Sequence, residues 1–206
     1  MRIRYNAPVV LTYAVVAVLV LVADQLFDGF SRRYFAVLPS FDAVALLSYV
    51  RLITHVIGHA DATHLLANFS LILLIGPILE EKYGSALLLG MILVTALATG
   101  ILNVLFLPDG LMGASGVAFM MILLSSFTNI RAREIPLTFI LVLLIYVARE
   151  VVTAFDTDSI SQFAHIAGGM FGSVFGFLVG REPMAPAVVQ SADEPPFLPP
   201  DEPSSQ

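Results

Sequence analysis

Six stretches of this chain run without a single Asp, Glu, Lys or Arg, and their lengths decide what it can fold into. They cover 5–23, 62–79, 83–108, 110–130, 135–148 and 159–180, which is 19, 18, 26, 21, 14 and 22 residues. A helix crosses the hydrocarbon core of a bilayer with about 20 apolar residues, range roughly 17–25. Five stretches reach that length. The short one, 135–148, is flanked by Glu134 and Arg149, whose side chains can snorkel outward and lengthen it. With 58% hydrophobic residues, 13% charged residues and a mean hydropathy of +0.89, the chain has too little polar surface for a soluble globule. The expected fold is an all-α membrane protein of six transmembrane helices, at about 7–26, 62–80, 84–107, 114–130, 134–152 and 160–180. No internal repeat is visible, which removes the best sequence pointer to an inverted-repeat transporter.

Between the first two spans, the first loop (about 27–61) differs in character. Arg32, Arg33, Arg51, Asp28, Asp42 and Pro39 interrupt modest apolar patches at 34–38 and 44–50. This reads as a structured, amphipathic loop lying at the membrane interface. The first apolar run is read as a retained helix, because Ala23 is followed by Asp24 with no small-x-small cleavage pattern. Placing the N-terminus in the cytoplasm puts Arg2, Arg4, Lys82, Arg131, Arg133 and Arg181 inside. It leaves Arg32, Arg33, Arg51 and Arg149 outside, so the positive-inside rule favours both termini in the cytoplasm. The domain is expected to end near 181. Residues 182–206 hold five of the sixteen acids and seven of the twelve prolines, the composition of a disordered acidic Pro-rich cytoplasmic tail. The absence of cysteine excludes disulfide scaffolds, Cys-based zinc sites and thiol nucleophiles. A net charge of −6 without a basic patch gives nucleic-acid binding no support.

Polar groups inside a bilayer are costly and mark function by default. Spans two, four and six all enter the membrane from the same face. His64 opens span two, with His55 and His59 just before it. Ser115 lies near the start of span four and His165 near the start of span six. At 1.5 Å per residue all three reach similar depth, roughly 5–10 Å below the outer boundary. Asn68 follows His64 by four positions and shares its helical face. Gly113 and Gly116 flank Ala114 and Ser115, so backbone and substrate can approach closely beside the free N–H groups of a helix start. A serine, a histidine and convergent donors are the parts of acyl transfer: nucleophile, general base and oxyanion stabiliser. Blander readings stand beside this one. A serine between glycines also serves close packing, as do Gly168, Gly172, Gly176 and Gly180 at every fourth position. That stripe would also let span six press on span four. His55 and His59 have the i, i+4 spacing of metal ligands, but no carboxylate or cysteine is placed to complete a site.

Three ordered blocks carry a resemblance. The first reads RLITHVIGHADATHLLAN over 51–68 and is followed by Gly76 and EEKYG at 80–84. The second is GASG at 113–116, and the third is AHIAGGMFG at 164–172. In their order and in the spans they occupy, they resemble the rhomboid intramembrane serine proteases, in the minimal six-helix prokaryotic form. The resemblance implies a Ser115–His165 catalytic dyad with no third carboxylate. It implies an oxyanion hole lined by His64 and Asn68 with the backbone N–H of Ser115. His59 matches a mainly structural histidine, and Glu80 an acid that ties the first loop to the core. Two departures stand out. Many bacterial members carry Trp-Arg in the first loop, where this chain has Val50-Arg51 and no Trp anywhere. The residue four after the serine is often tyrosine, and here it is Phe119, which keeps the ring and loses the hydroxyl.

The expected function is therefore an intramembrane serine endopeptidase acting on transmembrane protein substrates among membrane lipids. It needs no cofactor and no metal, and a monomer suffices. By resemblance it sits in a prokaryotic inner membrane with the active site facing outward. The nearest rival is a catalytically inactive rhomboid-like protein that binds membrane clients. A small channel or transporter is the other, and it would want polar groups along the inner halves of several helices.

Overall fold

The computed structural model describes residues 5–130 (backbone alone for 126–130) and, beyond them, 137, 140, 141, 144, 145, 167–172, 174, 175 and 178. His165, most of the expected spans five and six, the charges Arg2, Arg4, Arg131, Arg133, Arg149 and Arg181, and the tail 182–206 lie outside the described residues. Among those described, the protein is an all-α membrane bundle with no strand. Its helices are α1 (Pro8–Leu26), α2 (Phe30–Phe35), α3 (Leu46–Thr54), α4 (Ala62–Tyr83), α5 (Ser85–Phe106) and α6 (Ser115–Ile130). Helices α1, α4 and α5 are each long and apolar enough to cross a membrane. Their outward side chains, such as Val18 and Leu19 on α1, Leu66 and Leu74 on α4, and Leu93 and Ile101 on α5, are exposed. Against acyl chains, that exposure costs nothing.

The centre of the bundle is α6. Val117, Ala118, Met120, Met121, Ile122 and Leu124 are all fully buried, so the first turns of the helix are packed on nearly every side. A helix that is apolar all round belongs in an interior. Its neighbours approach through small residues. Gly76 on α4 faces Val10 on α1, where a Cβ would lie 2.8 Å from a valine methyl. Gly100 on α5 faces the backbone of Leu52 on α3, where a Cβ would lie 2.5 Å from the carbonyl oxygen. Gly84 alone joins α4 to α5, with φ at +80° in the region that glycine tolerates.

Helix α1 opens with Pro8 and has no capping side chain of its own at Ala7. The carboxylate of Glu80 on α4 takes that role. Its two oxygens accept the N–H groups of Val9 (2.9 Å) and Val10 (3.0 Å), and one also accepts the Ser85 hydroxyl (2.7 Å). A carboxylate there suits the positive end of the helix. The resemblance had Glu80 tying the first loop to the core. Instead the tether runs to the start of α1, because that helix end has orphan donors and no local acceptor.

The first loop is folded around α2 and α3. The Arg51 guanidinium donates to the carbonyl of Arg33 and so joins the two. Val44, Leu46 and Tyr49 project outward as apolar and aromatic surface, as an interfacial segment requires.

Candidate active site

Three separate elements hold the segment that leads into α6. Leu111 exchanges two backbone hydrogen bonds with Val37 of the first loop, at 2.9 and 3.0 Å. The N–H of Gly113 donates to the carbonyl of His55 (2.9 Å), and the N–H of Ala114 donates to Nε2 of His59 (3.4 Å). Asn103 at the end of α5 donates to the carbonyl of Asp109 (3.0 Å). The first loop is therefore a scaffold for the residues around Ser115. Ala114 accepts the first helical bond, from Ala118 N–H (2.9 Å), so Ser115 is the first residue of α6 and is half-buried. Its backbone N–H points out of a helix N-terminus, where an anion is favoured.

Helix α4 starts at a defined place because Asp61 caps it. The Asp61 carboxylate accepts the N–H of His64 (2.8 Å), and its carbonyl accepts that of Leu65 (3.1 Å). His64 is thereby fixed in the first turn, with Asn68 one turn deeper. Both reach the segment before Ser115. A Cβ on Gly113 would lie 2.6 Å from Cε1 and 2.8 Å from Nε2 of His64, and 3.7 Å from Nδ2 of Asn68. Gly113 also has φ at +130°, which L side chains rarely adopt. Glycine is required there twice over, for its conformation and for the imidazole against it.

His59 is fully buried behind these groups. Its Nδ1 lies 3.1 Å from the carbonyl of Ile57, and its Nε2 lies 3.2 Å from Nδ2 of Asn68. The surrounding network assigns the proton to Nδ1, leaving Nε2 to accept from Asn68 and Ala114. Burial, with the adjacent His64 adding to it, pushes its pKa down to about 4. Its ring also packs edge-on against His64 at a centroid distance of 5.1 Å. His55, also fully buried, faces the other way, with Nε2 3.4 Å from Oγ1 of Thr99 on α5. The two histidines therefore do not share a site, and among the described residues no three metal-ligating side chains come together. Ser31 is a contact that spacing could not reveal: buried, it donates to the carbonyl of His59 (3.4 Å).

Residues 167–172 are helical and lie directly on α6. A Cβ on Gly168 would strike the Gly116 carbonyl, and one on Gly172 would strike that of Met120. On Gly169, it would lie 2.5 Å from the Phe119 ring, which is buried beside Ile122. Positions 168 and 172 thus pair with 116 and 120 at the same offset of 52 residues, and both rise together. Over this stretch the two helices run parallel.

The chain has counterparts among known proteins. A family profile described as the Rhomboid domain matches residues 46–182, well over half of the chain. The protein named Rhomboid protease GlpG, from Haemophilus influenzae, is 26% identical over 131 residues, which cover 62% of this chain and 68% of that protein. RHOMBOID-like protein 7 of Arabidopsis thaliana is 32% identical over 137 residues, covering 63% of this chain but only 42% of the plant protein.

Proposed function

The chain belongs to the rhomboid family of integral membrane proteins, and from that premise we propose that it is a working intramembrane serine endopeptidase with a Ser115–His165 dyad. The observation that carries this reading is the convergence of the α6 N-terminus, His64 and Asn68 on Gly113. The register of the glycine stripe supports the pairing of the dyad. Gly168, three positions after 165 in the sequence, packs on Gly116, the residue next to Ser115. The six-helix count and the outward-facing site belong to the same proposal.

In the proposed mechanism a substrate segment unwinds at the outer surface and presents its scissile carbonyl to Ser115. His165 takes the serine proton as the bond forms and returns it to the leaving amine. The oxyanion is held by the Ser115 N–H, His64 and Asn68. The Asn68 amide nitrogen has two hydrogens; the bond to His59 uses one and leaves the other for the oxyanion. Water from the outer surface, deprotonated by His165, then attacks the acyl-enzyme and releases the acyl group, the proton returning to Ser115.

A serine-reactive fluorophosphonate tests the reading directly. It should label the protein in lipid vesicles at Ser115, as located by peptide mass, and heat-unfolded protein should not react. Failure of the folded protein to label would favour a client-binding homologue without activity. Asn68→Ala should lower kcat by about 10²–10³, the usual effect of losing one oxyanion donor. Unchanged turnover in that variant would remove Asn68 from the oxyanion hole. Gly168→Ala should lower kcat/KM by about 10²-fold, because a displacement near 1 Å between reacting groups has that effect. Gly90→Ala, on α5 with open space around it, is the control and should turn over normally.

A further inference from the structure

A cavity of about 520 Å³ lies between α1 and α5, beneath the end of α3. Its walls are mainly apolar and include Val9, Val16, Ile53, Ile57, Leu89 and Leu93. Four hydroxyl side chains also border it, and each already has a partner within the protein. Tyr13 donates to the carbonyl of Val56 (2.8 Å), Thr54 to that of Val50 (3.1 Å) and Ser85 to Glu80 (2.7 Å), while Thr12 pairs with the Tyr5 hydroxyl (2.9 Å). A water molecule needs 2–4 polar partners, and an apolar cavity of about 150 Å³ stays dry yet takes up a hydrocarbon. This cavity is several times larger and equally short of partners. Its lining therefore suits an apolar occupant.

The bounding elements say where that occupant comes from. Two walls are membrane-spanning helices. Val16, Leu89 and Leu93 are themselves partly exposed and continue into the outward rows of Val15 and Leu19 on α1 and of Leu97 and Ile101 on α5. The opening thus merges with the lipid-facing surface of the bundle. We propose that the cavity holds one acyl chain of a membrane phospholipid as a resident structural ligand. Its roof is made by Ile53, Thr54, Val56 and Ile57, which flank His55, whose carbonyl holds Gly113. The chain therefore props the part of the first loop that positions the segment before Ser115. This inference depends on the membrane fold and not on peptide hydrolysis.

Native mass spectrometry of the full chain, released into mild detergent from nanodiscs of dioleoyl phosphatidylcholine, tests it. Wild type should carry the mass of one phospholipid. Val16→Phe with Leu93→Phe, which fills the cavity from facing walls, should lose that mass. Leu19→Phe with Leu97→Phe, of equal bulk outside it, should keep it. A bare wild-type chain, a dimer in place of the lipid adduct, or equal retention by both double variants would overturn the proposal. A second measurement covers misfolding of the filled variant. The chain has no Trp, so Leu89→Trp is a single reporter. In detergent, brominated-chain phospholipid should quench it to saturation at one lipid per protein, whereas Leu19→Trp should follow total lipid. Quenching at Leu89→Trp that never saturates would also overturn it.

Discussion

Cleavage of a single-span substrate by the protein in lipid vesicles should fall to background when Ser115 is replaced by alanine. In the proposed mechanism Ser115 forms the covalent intermediate, so its loss removes the step rather than weakening it. Single removal of such a group lowers kcat by about 10⁴–10⁶ in enzymes built on this chemistry. The half-buried place of Ser115 at the start of α6 makes alanine a mild change structurally, with one oxygen removed from a helix whose interior residues are untouched. Substrate binding should persist, which separates lost chemistry from lost fold. No cysteine exists to supply a substitute thiol. Cleavage by both proteins would mean another nucleophile or a contaminant. Cleavage by neither, with both folded and neither reacting with the fluorophosphonate, would favour the client-binding alternative.

How much of this was legible in the sequence depends on the range of the interaction. Charge-free runs coincide with α1, α4 and α5 to within a few residues, because spanning a bilayer imposes its length on local composition. The glycine stripe at 168 and 172 was legible as close packing, since its period is local to one helix; its partner residues on α6 were not. Helices α2 and α3 are too short to declare themselves without tertiary support, and only their amphipathic character could be read. The pairing of Val37 with Leu111 and the bond from Ala114 to His59 join distant segments and leave no periodicity. The scaffold role of the first loop was hidden for that reason. The Glu80 carboxylate bonds to the start of α1, and a signal for that contact exists in the sequence. Pro8 opens a helix preceded by Ala7, which cannot cap it, so an acceptor had to arrive from elsewhere.

Acidification should destabilise the protein between pH 6.5 and 4, and the two buried histidines of the first loop supply the reason. Burial pushes both His55 and His59 down to about 4, from an ordinary value near 6.5. In that window the unfolded chain binds protons that the native chain excludes, so stability rises with pH. Their contribution is fully present above about 6.5. It is lost as pH falls toward 4, below which both states are protonated. Each depression amounts to about 3 kcal/mol, and the pair to about 6 kcal/mol, a large share of the roughly 5–15 kcal/mol that separates native from unfolded proteins. The structural consequence is specific. A proton on Nε2 of His59 would place three donors together, from His59, Asn68 and the Ala114 N–H, where one acceptor now serves two. The segment before Ser115 should therefore loosen first. Thermal unfolding followed by circular dichroism across this range should show the midpoint falling with acid, and His55→Gln should about halve the slope. A midpoint flat from pH 7 to 4 would sink the assignment. Activity should decline over the same range, but from a second cause, since a dyad base must be neutral to accept the serine proton. Brief acid exposure followed by assay at neutral pH distinguishes the two. Protonation of the base reverses at once, whereas a first loop that has come apart returns only as fast as it refolds.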